Sequence, residues 1–248
     1  MEMAQAHPVW DLAKLSGLLI QQGTNCMLKT RTDTFKITGN KLTDIASYPD
    51  KWIVANGFMK AAGEFEISDF LDLKERTLEL FVMSFCPFGQ RAEEQLLNFM
   101  SSTNNPTLPQ LDIHYIVYRN QKDGQDVFTS MHGDAEVAED LVQIVMRDHF
   151  PPTLFTTYLH LRAKNGQGDW KVLAQQAGFS PDNLTFIQTT ITTNRDALLR
   201  AEYDYAVGRY GITDGSPSYV WESERVSDLR RITAFKGLDE MKADTCSH

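Results

Sequence analysis

The chain has 248 residues, with 33 Asp and Glu against 24 Lys and Arg and a formal net charge of −9. That length buries a substantial core as one large or two smaller domains, and the acidic balance argues against a nucleic-acid partner, which needs clustered Lys and Arg. No apolar run approaches membrane-spanning length, and residues 1–22 lack the basic start and long apolar segment of a signal peptide.

Residues 1–73 open on an amphipathic stretch at 10–15, read as a short N-terminal helix. Short alternating runs follow at 27–32, 34–38, 52–55 and 64–67, punctuated by Gly39-Asn40. This is the pattern of a small β-rich domain, a barrel or an open sheet, with a structural or partner-docking role as the default. The texture changes in residues 74–248. A strand is expected at 78–83, a helix at 90–100, a loop at 104–106 and a strand at 111–117. A helical insertion is expected over about 125–210, with segments at 135–150, 154–164, 170–178, 183–193 and 194–210. Gly215-Ser216-Pro217 then leads into a strand through Tyr219 and Trp221, with a further strand at 232–235 and a last helix from 237.

The densest chemistry lies where the first strand of this second region ends. Ser84-Phe85-Cys86-Pro87-Phe88-Gly89 runs from an apolar β-prone segment straight into a helical one. Cys86 is thereby expected at a helix N-terminus, where unpaired N–H groups and the helix dipole favour a thiolate. Pro87 suits the first turn because its missing N–H costs nothing there. Ser84 is placed to bond either the sulfur or the backbone. An X-Pro bond just before a strand is a candidate cis bond, so Ser216-Pro217 is read as cis proline or ordinary strand start. Tyr219 and Trp221 either line a groove or pack the strand. The three cysteines, Cys26, Cys86 and Cys246, allow one pair plus one free thiol, and Cys26 with Cys246 is one choice. The acidic groups Glu93-Glu94 and 134–140 read as solvated helix faces. No His, Cys or Asp group shows metal-ligand spacing, and no metal is expected.

The strand–Cys–Pro–helix unit resembles the nucleophile site of thioredoxin-superfamily oxidoreductases, with Gly89 where a dithiol enzyme has its second cysteine. The run from Ser130 through His132, Gly133 and Glu136 to Asp140, Val137 and Val145 included, resembles the signature of gamma-interferon-inducible lysosomal thiol reductases and their bacterial relatives. His132, Gly133 and Glu136 are retained; Asp140 stands for Asn; Ser130, Val137 and Val145 replace its cysteines. Tyr158, Asp169-Trp170 and Gly178-Phe179-Ser180 resemble that family's continuation. The Cys-Pro-Phe segment is also similar to those of monothiol glutaredoxins and omega-type glutathione transferases.

The resemblance implies an α/β protein: a thioredoxin-like fold with an inserted helical subdomain, preceded by the small β-rich domain. It implies Cys86 as nucleophile and Pro217 as a cis-proline platform. Ser84, Pro87, Phe88, Gly89, Ser216 and Tyr219 would shape the binding site, with His132 as general base or, more simply, a cap. Reduction through a mixed disulfide needs a second thiol, so glutathione, a partner cysteine, Cys26 or Cys246 would have to resolve Cys86. The expected partner is a protein thiol or disulfide, with no resident cofactor beyond glutathione as co-substrate, in an exported setting. Two readings stay beside it: a non-catalytic module that holds a partner peptide, with Cys86 covered, and a glutathione-transferase-like enzyme with a small apolar pocket among the inserted helices. Exposure of the Cys86 sulfur beside the Pro217 loop separates enzyme from module.

Overall fold

The computed structural model describes residues 12–45, 50–61, 63–102, 109–166, 168–213, 215–236 and 238. The chain divides into two compact units, Met1–Glu75 and Arg76–His248.

In the first unit, β1 (Leu12–Gln22), β2 (Asn25–Lys29), β3 (Thr34–Thr38), β4 (Trp52–Ala61) and β5 (Glu64–Asp72) form a closed barrel in the order β1-β2-β3-β5-β4. β1 pairs antiparallel with both β2 and β4, which closes the barrel, and β3 runs parallel to β5. A one-turn helix α1 (Leu42–Ile45) sits between β3 and β4. This five-stranded Greek-key arrangement is that of the OB-fold. Alternate residues Leu19, Leu28, Ile37, Ile53, Phe65 and Ile67 fill its core, joined by Cys26. The predicted N-terminal helix is corrected where it is described: from Leu12 the chain is strand, because residues 12–18 find ladder partners in β4 and residues 18–22 in β2. Trp10 lies outside the described residues.

The second unit carries a four-stranded sheet in the order β11-β10-β6-β7, built from β6 (Thr77–Val82), β7 (Gln110–Tyr115), β10 (Ser218–Trp221) and β11 (Glu224–Val226). β6 and β7 are parallel and joined across α2 (Pro87–Ser102); β10 returns antiparallel to β6 and turns into β11. A βαβ unit followed by an antiparallel hairpin on the other side of the first strand is the thioredoxin-like core. All six residues of β6 are buried, as expected of a strand covered on both faces. Leu78, Leu80 and Val82 join the main core with Leu96, Ile113, Val145 and Tyr158.

Between β7 and β10 the chain inserts a hairpin, β8 (Tyr118–Lys122) and β9 (Gln125–Thr129), and then α3 (Asp134–His149), α4 (Pro152–Asn165), α5 (Trp170–Gln176) and α6 (Pro181–Tyr203). The sequence reading missed the hairpin and began the helical insertion inside it. The Asp123-Gly124 turn, with both residues at positive φ, is the hairpin signal that its polar strands otherwise hide. The segments expected at 183–193 and 194–210 are one helix, started by a capping box between Ser180 and Asn183 and ending in a π-helical turn at Asp204–Arg209. The strand expected at 232–235 is instead a pair of 3-10 turns, Leu229–Arg231 and Thr233–Phe235. Phe235 lies against Phe99 and Trp221 rather than against a ladder partner. The last predicted helix falls largely outside the described residues.

Candidate active site

The loop between β6 and α2 is pinned from three sides. Cys86 sits immediately before α2, its amide bonded to Met83 O and its carbonyl accepting from the Gln90 amide, both at 2.9 Å. Gln90 also reaches back, donating from Nε2 to Ser84 O at 2.7 Å. From the sheet side, the Ser216–Pro217 bond is cis, and Ser216 Oγ accepts from the Met83 amide at 2.9 Å. The Cys86 Sγ lies 3.4 Å from the Ser216 carbonyl oxygen. From the helical side, α3 presents two buried carboxylates one turn apart. Glu136 Oε1 accepts from the Phe85 amide at 2.7 Å and Asp140 Oδ1 from the Ser84 amide at 3.3 Å.

Glu136 is the hub of this grip. Its second oxygen accepts from Ser130 Oγ and from the His132 amide (3.1 Å), and it lies 2.9 Å from the His132 ring Nδ1. Gly133 between them has φ 83°, a backbone that side chains rarely tolerate. Of the residues singled out in the 130–140 run, Glu136 and Asp140 bond the Cys86 loop directly, and Ser130 and His132 bond Glu136. Val137 and Val145 are buried in apolar clusters. His132 is bonded to Glu136, as a cap of this loop.

The predicted site residues do not all gather at the sulfur. Cys86, Ser84, Gly89, Ser216 and Pro217 are buried together; Pro87 is exposed and Phe88 half-buried, with the Arg91 guanidinium 5.8 Å from its ring centre. Ser84 does not turn to the sulfur: its hydroxyl donates to Glu136 O at 3.5 Å. Tyr219 packs against the main core rather than lining a groove, and burial pushes its phenol up. The exposed sulfur that the enzyme reading called for is corrected. Cys86 is 0% accessible and is disulfide-bonded, so it is not displayed as a thiol. Cys26 is free and buried in the barrel, which removes the Cys26–Cys246 pair; Cys246 lies outside the described residues. A Cβ at the buried Gly89 would meet Ser216 Oγ at 2.6 Å.

Behind the loop lies a buried acidic layer that the sequence reading placed in solvent. Glu93, Glu136, Glu139 and Asp140 are each at most 4% exposed. Amphipathic periodicity counts charge as outward-facing, but here all four face inward, Glu136 and Glu139 onto several donors each, while Glu93 Oε1 and Asp140 Oδ2 meet no donor among the described residues. Glu139 takes two bonds from Arg162 (2.9 and 2.6 Å) and one each from Tyr158 and Gln143 (both 2.7 Å). Arg162 also donates to the Tyr158 hydroxyl at 2.7 Å and to the carbonyls of Gly166 and Gly168. Burial first, then Glu139, pushes Glu93 up to about 8. Burial also drives Asp140 well above the usual carboxylate range, against the bonds from Ser84 and with help from Glu136 and Glu139. A cavity of about 540 Å³ opens beside this layer, lined by Phe85, Arg162, Trp170 and Ile191 among others. Its walls include Asp134, Glu139, Asp169 and Arg195, so it is not the apolar pocket of the transferase-like reading.

On the other sheet face, Glu79 accepts from the hydroxyls of Tyr205 and Tyr210. Ligand atoms of Glu79, Asp112 and His114 come within 4.8 Å of one another. No spacing rule found this group, because it is assembled by the register of two parallel strands, Glu79 opposite Asp112 and Phe81 opposite His114.

No family model matches the chain, and no curated protein matches it. Among solved structures it is similar to the MdbA protein, a thiol-disulfide oxidoreductase from Actinomyces oris. That match has a TM-score of 0.47 and 9% identity, covering 69% of this chain and 82% of that one. No helix among the described residues is long and apolar enough to cross a membrane.

Proposed function

We propose that this protein exchanges thiols and disulfides with protein substrates through Cys86. The observation that carries the reading is the placement of one sulfur at the start of α2, 3.4 Å from the carbonyl before a cis proline and already in the disulfide state. On reduction, that sulfur lies where the unpaired N–H groups of α2 favour an anion over a thiol. The thiolate attacks a substrate disulfide, forming a mixed disulfide and releasing one substrate thiolate. Ser216 and Pro217 supply the backbone against which an extended substrate segment lies, and Pro87 and Phe88 border the approach. Glu136 and Asp140 keep the loop in register with that platform. Glutathione is the small-thiol candidate for co-substrate.

The test is exchange by the reduced full chain with a peptide disulfide and, separately, with glutathione disulfide. Intact mass and thiol release are followed, with Cys86→Ser as the control. Adduct formation and thiol release that vanish in Cys86→Ser support the proposal; equal release by both proteins sinks it. The complete burial of Cys86 favours a second reading, a binding module for an extended peptide. In that case peptide affinity survives Cys86→Ser with no exchange in either protein.

A further inference from the structure

We propose that Glu79, Asp112 and His114 form a binding site for one divalent transition cation of the zinc class. The site lies on the sheet face opposite Leu78, Leu80 and Val82 and does not depend on the reading of Cys86.

Strand register brings the three residues together. β6 and β7 are parallel, with Glu79 opposite Asp112 and Phe81 opposite His114, so all three side chains leave the same face. Their ligand atoms lie within 4.8 Å of one another, and His114 Nε2 is 3.9 Å from Glu79 Oε1. Metal bonds of about 2.0–2.2 Å hold donors about 3–4 Å apart, so the set has to close by about 1 Å. Glu79 is fully buried, whereas Asp112 and His114 are only partly so, and these two can supply that movement.

The histidine adds an independent observation. Its Nδ1 is 3.4 Å from Glu202 Oε2. Arg147 Nη1, also 3.4 Å from Nδ1, already donates to Ile113 O at 2.9 Å. The proton therefore belongs on Nδ1, directed at Glu202, and Nε2 keeps its lone pair. That nitrogen is buried and has no hydrogen-bond partner among the described residues. A buried lone pair facing two carboxylates is unfavourable by itself. A dication between them turns the same arrangement into a favourable one. A carboxylate behind the ring is also what orients a ligating imidazole and raises its basicity.

The surroundings hold the donors in place. His114 stacks on Tyr205 at 4.4 Å and on Phe81 at 5.2 Å, between ring centres. Tyr205 and Tyr210 both donate to Glu79. These tyrosines are five residues apart across the π-helical turn at Asp204–Arg209, whose i→i+5 bonding brings such a pair to one side. Two carboxylates and a neutral imidazole together balance a dication, and three protein donors leave a position for water. A nitrogen among the oxygens favours zinc-like cations over magnesium and calcium, which take oxygen ligands.

The test is zinc binding by the oxidised full chain, its accessible thiols alkylated beforehand, measured by competition with a chromophoric chelator. Magnesium and calcium are the counter-probes. One zinc ion per chain is expected, not displaced by millimolar magnesium or calcium. Binding should change the tyrosine near-UV circular dichroism, because Tyr205 and Tyr210 share Glu79 with the ion. Affinity should fall at least about 100-fold in His114→Gln and about 10- to 100-fold in Asp112→Asn, with the tyrosine change lost in both. Far-UV circular dichroism checks that each variant folds, and the partly exposed Asp112→Asn carries the test where His114→Gln does not. Absence of saturable zinc binding up to millimolar concentration, or undiminished affinity in folded Asp112→Asn, overturns the site. Calcium bound as tightly as zinc overturns the cation class assigned to it.

Discussion

Gly89→Ala adds a methyl group that would sit 2.6 Å from Ser216 Oγ and 3.2 Å from both Met83 O and Val82 Cβ. The hydroxyl is the part that can yield, by turning away and abandoning the Met83 amide it accepts at 2.9 Å. A buried donor left bare costs about 1–3 kcal/mol, and residual crowding adds about 1–3 kcal/mol. Exchanging Gly for Ala in a helix returns about 1 kcal/mol. The net expectation is a loss of about 1–5 kcal/mol. In a Ser216→Ala background the hydroxyl is gone and its hydrogen bond already lost. Gly89→Ala should then be neutral or stabilising by up to about 1 kcal/mol, and the two substitutions should couple by about 2 kcal/mol. The assay is equilibrium urea unfolding of the four proteins under excess reductant. It is followed by near-UV circular dichroism, with the transitions of the two units fitted separately. Gly89→Ala as stable as the parent, or an identical effect in both backgrounds, would refute the packing argument.

Glu136→Ala removes the acceptor of the Phe85 and His132 amides and of Ser130 Oγ. It should cost on the order of 3 kcal/mol or more, with faster hydrogen exchange at the Phe85 amide as its local signature. Glu93 carries a folded-state pKa of about 8 against an ordinary 4.5. A raised carboxyl is stabilising while protonated, so its contribution is intact below pH 4.5 and is lost as pH rises toward 8. The loss is on the order of 3–5 kcal/mol. Glu93→Gln should flatten that alkaline slope in a midpoint-versus-pH series. Glu202 behaves oppositely: burial raises it, but His114 and Arg147 together hold it down at about 2. Its contribution is present above pH 4.5 and lost as pH falls toward 2, roughly 3 kcal/mol, and Glu202→Gln should remove that acid limb. Arg162→Met leaves Glu139 buried without its partner. Its expected cost of about 3–5 kcal/mol, read by the same denaturation assay, should exceed that of Glu139→Gln paired with Arg162→Met.

The thioredoxin-like core was legible because its signals are local. An apolar run stops at Cys86-Pro87 and a helix begins there, and β6 and α2 lie within two residues or so of where periodicity put them, save for the earlier start of α2 at Pro87. The barrel strands β3 and β5 showed in their alternation, but β1 did not, since Leu12-Ala13-Lys14-Leu15 fit a helix face as well as a pleat until β4 pairs with them. The grip on the Cys86 loop joins Phe85 to Glu136, 51 residues apart. No spacing rule reaches that far, and only the family resemblance singled out His132, Gly133 and Glu136. The buried acidic layer misled for a related reason: a pattern can say that Glu139 lies on a helix face, not that Arg162, Tyr158 and Gln143 converge on it.

The free thiol of Cys26, sealed among Leu28, Ile37 and Phe65 in the barrel, gives the molecule a built-in clock. An alkylating reagent reaches it only when the barrel opens, and a disulfide-bonded Cys86 is silent to the same reagent. The ratio of its labelling rate to that of an unfolded cysteine therefore reads the opening free energy of the first unit directly. No probe has to be introduced and no denaturant added.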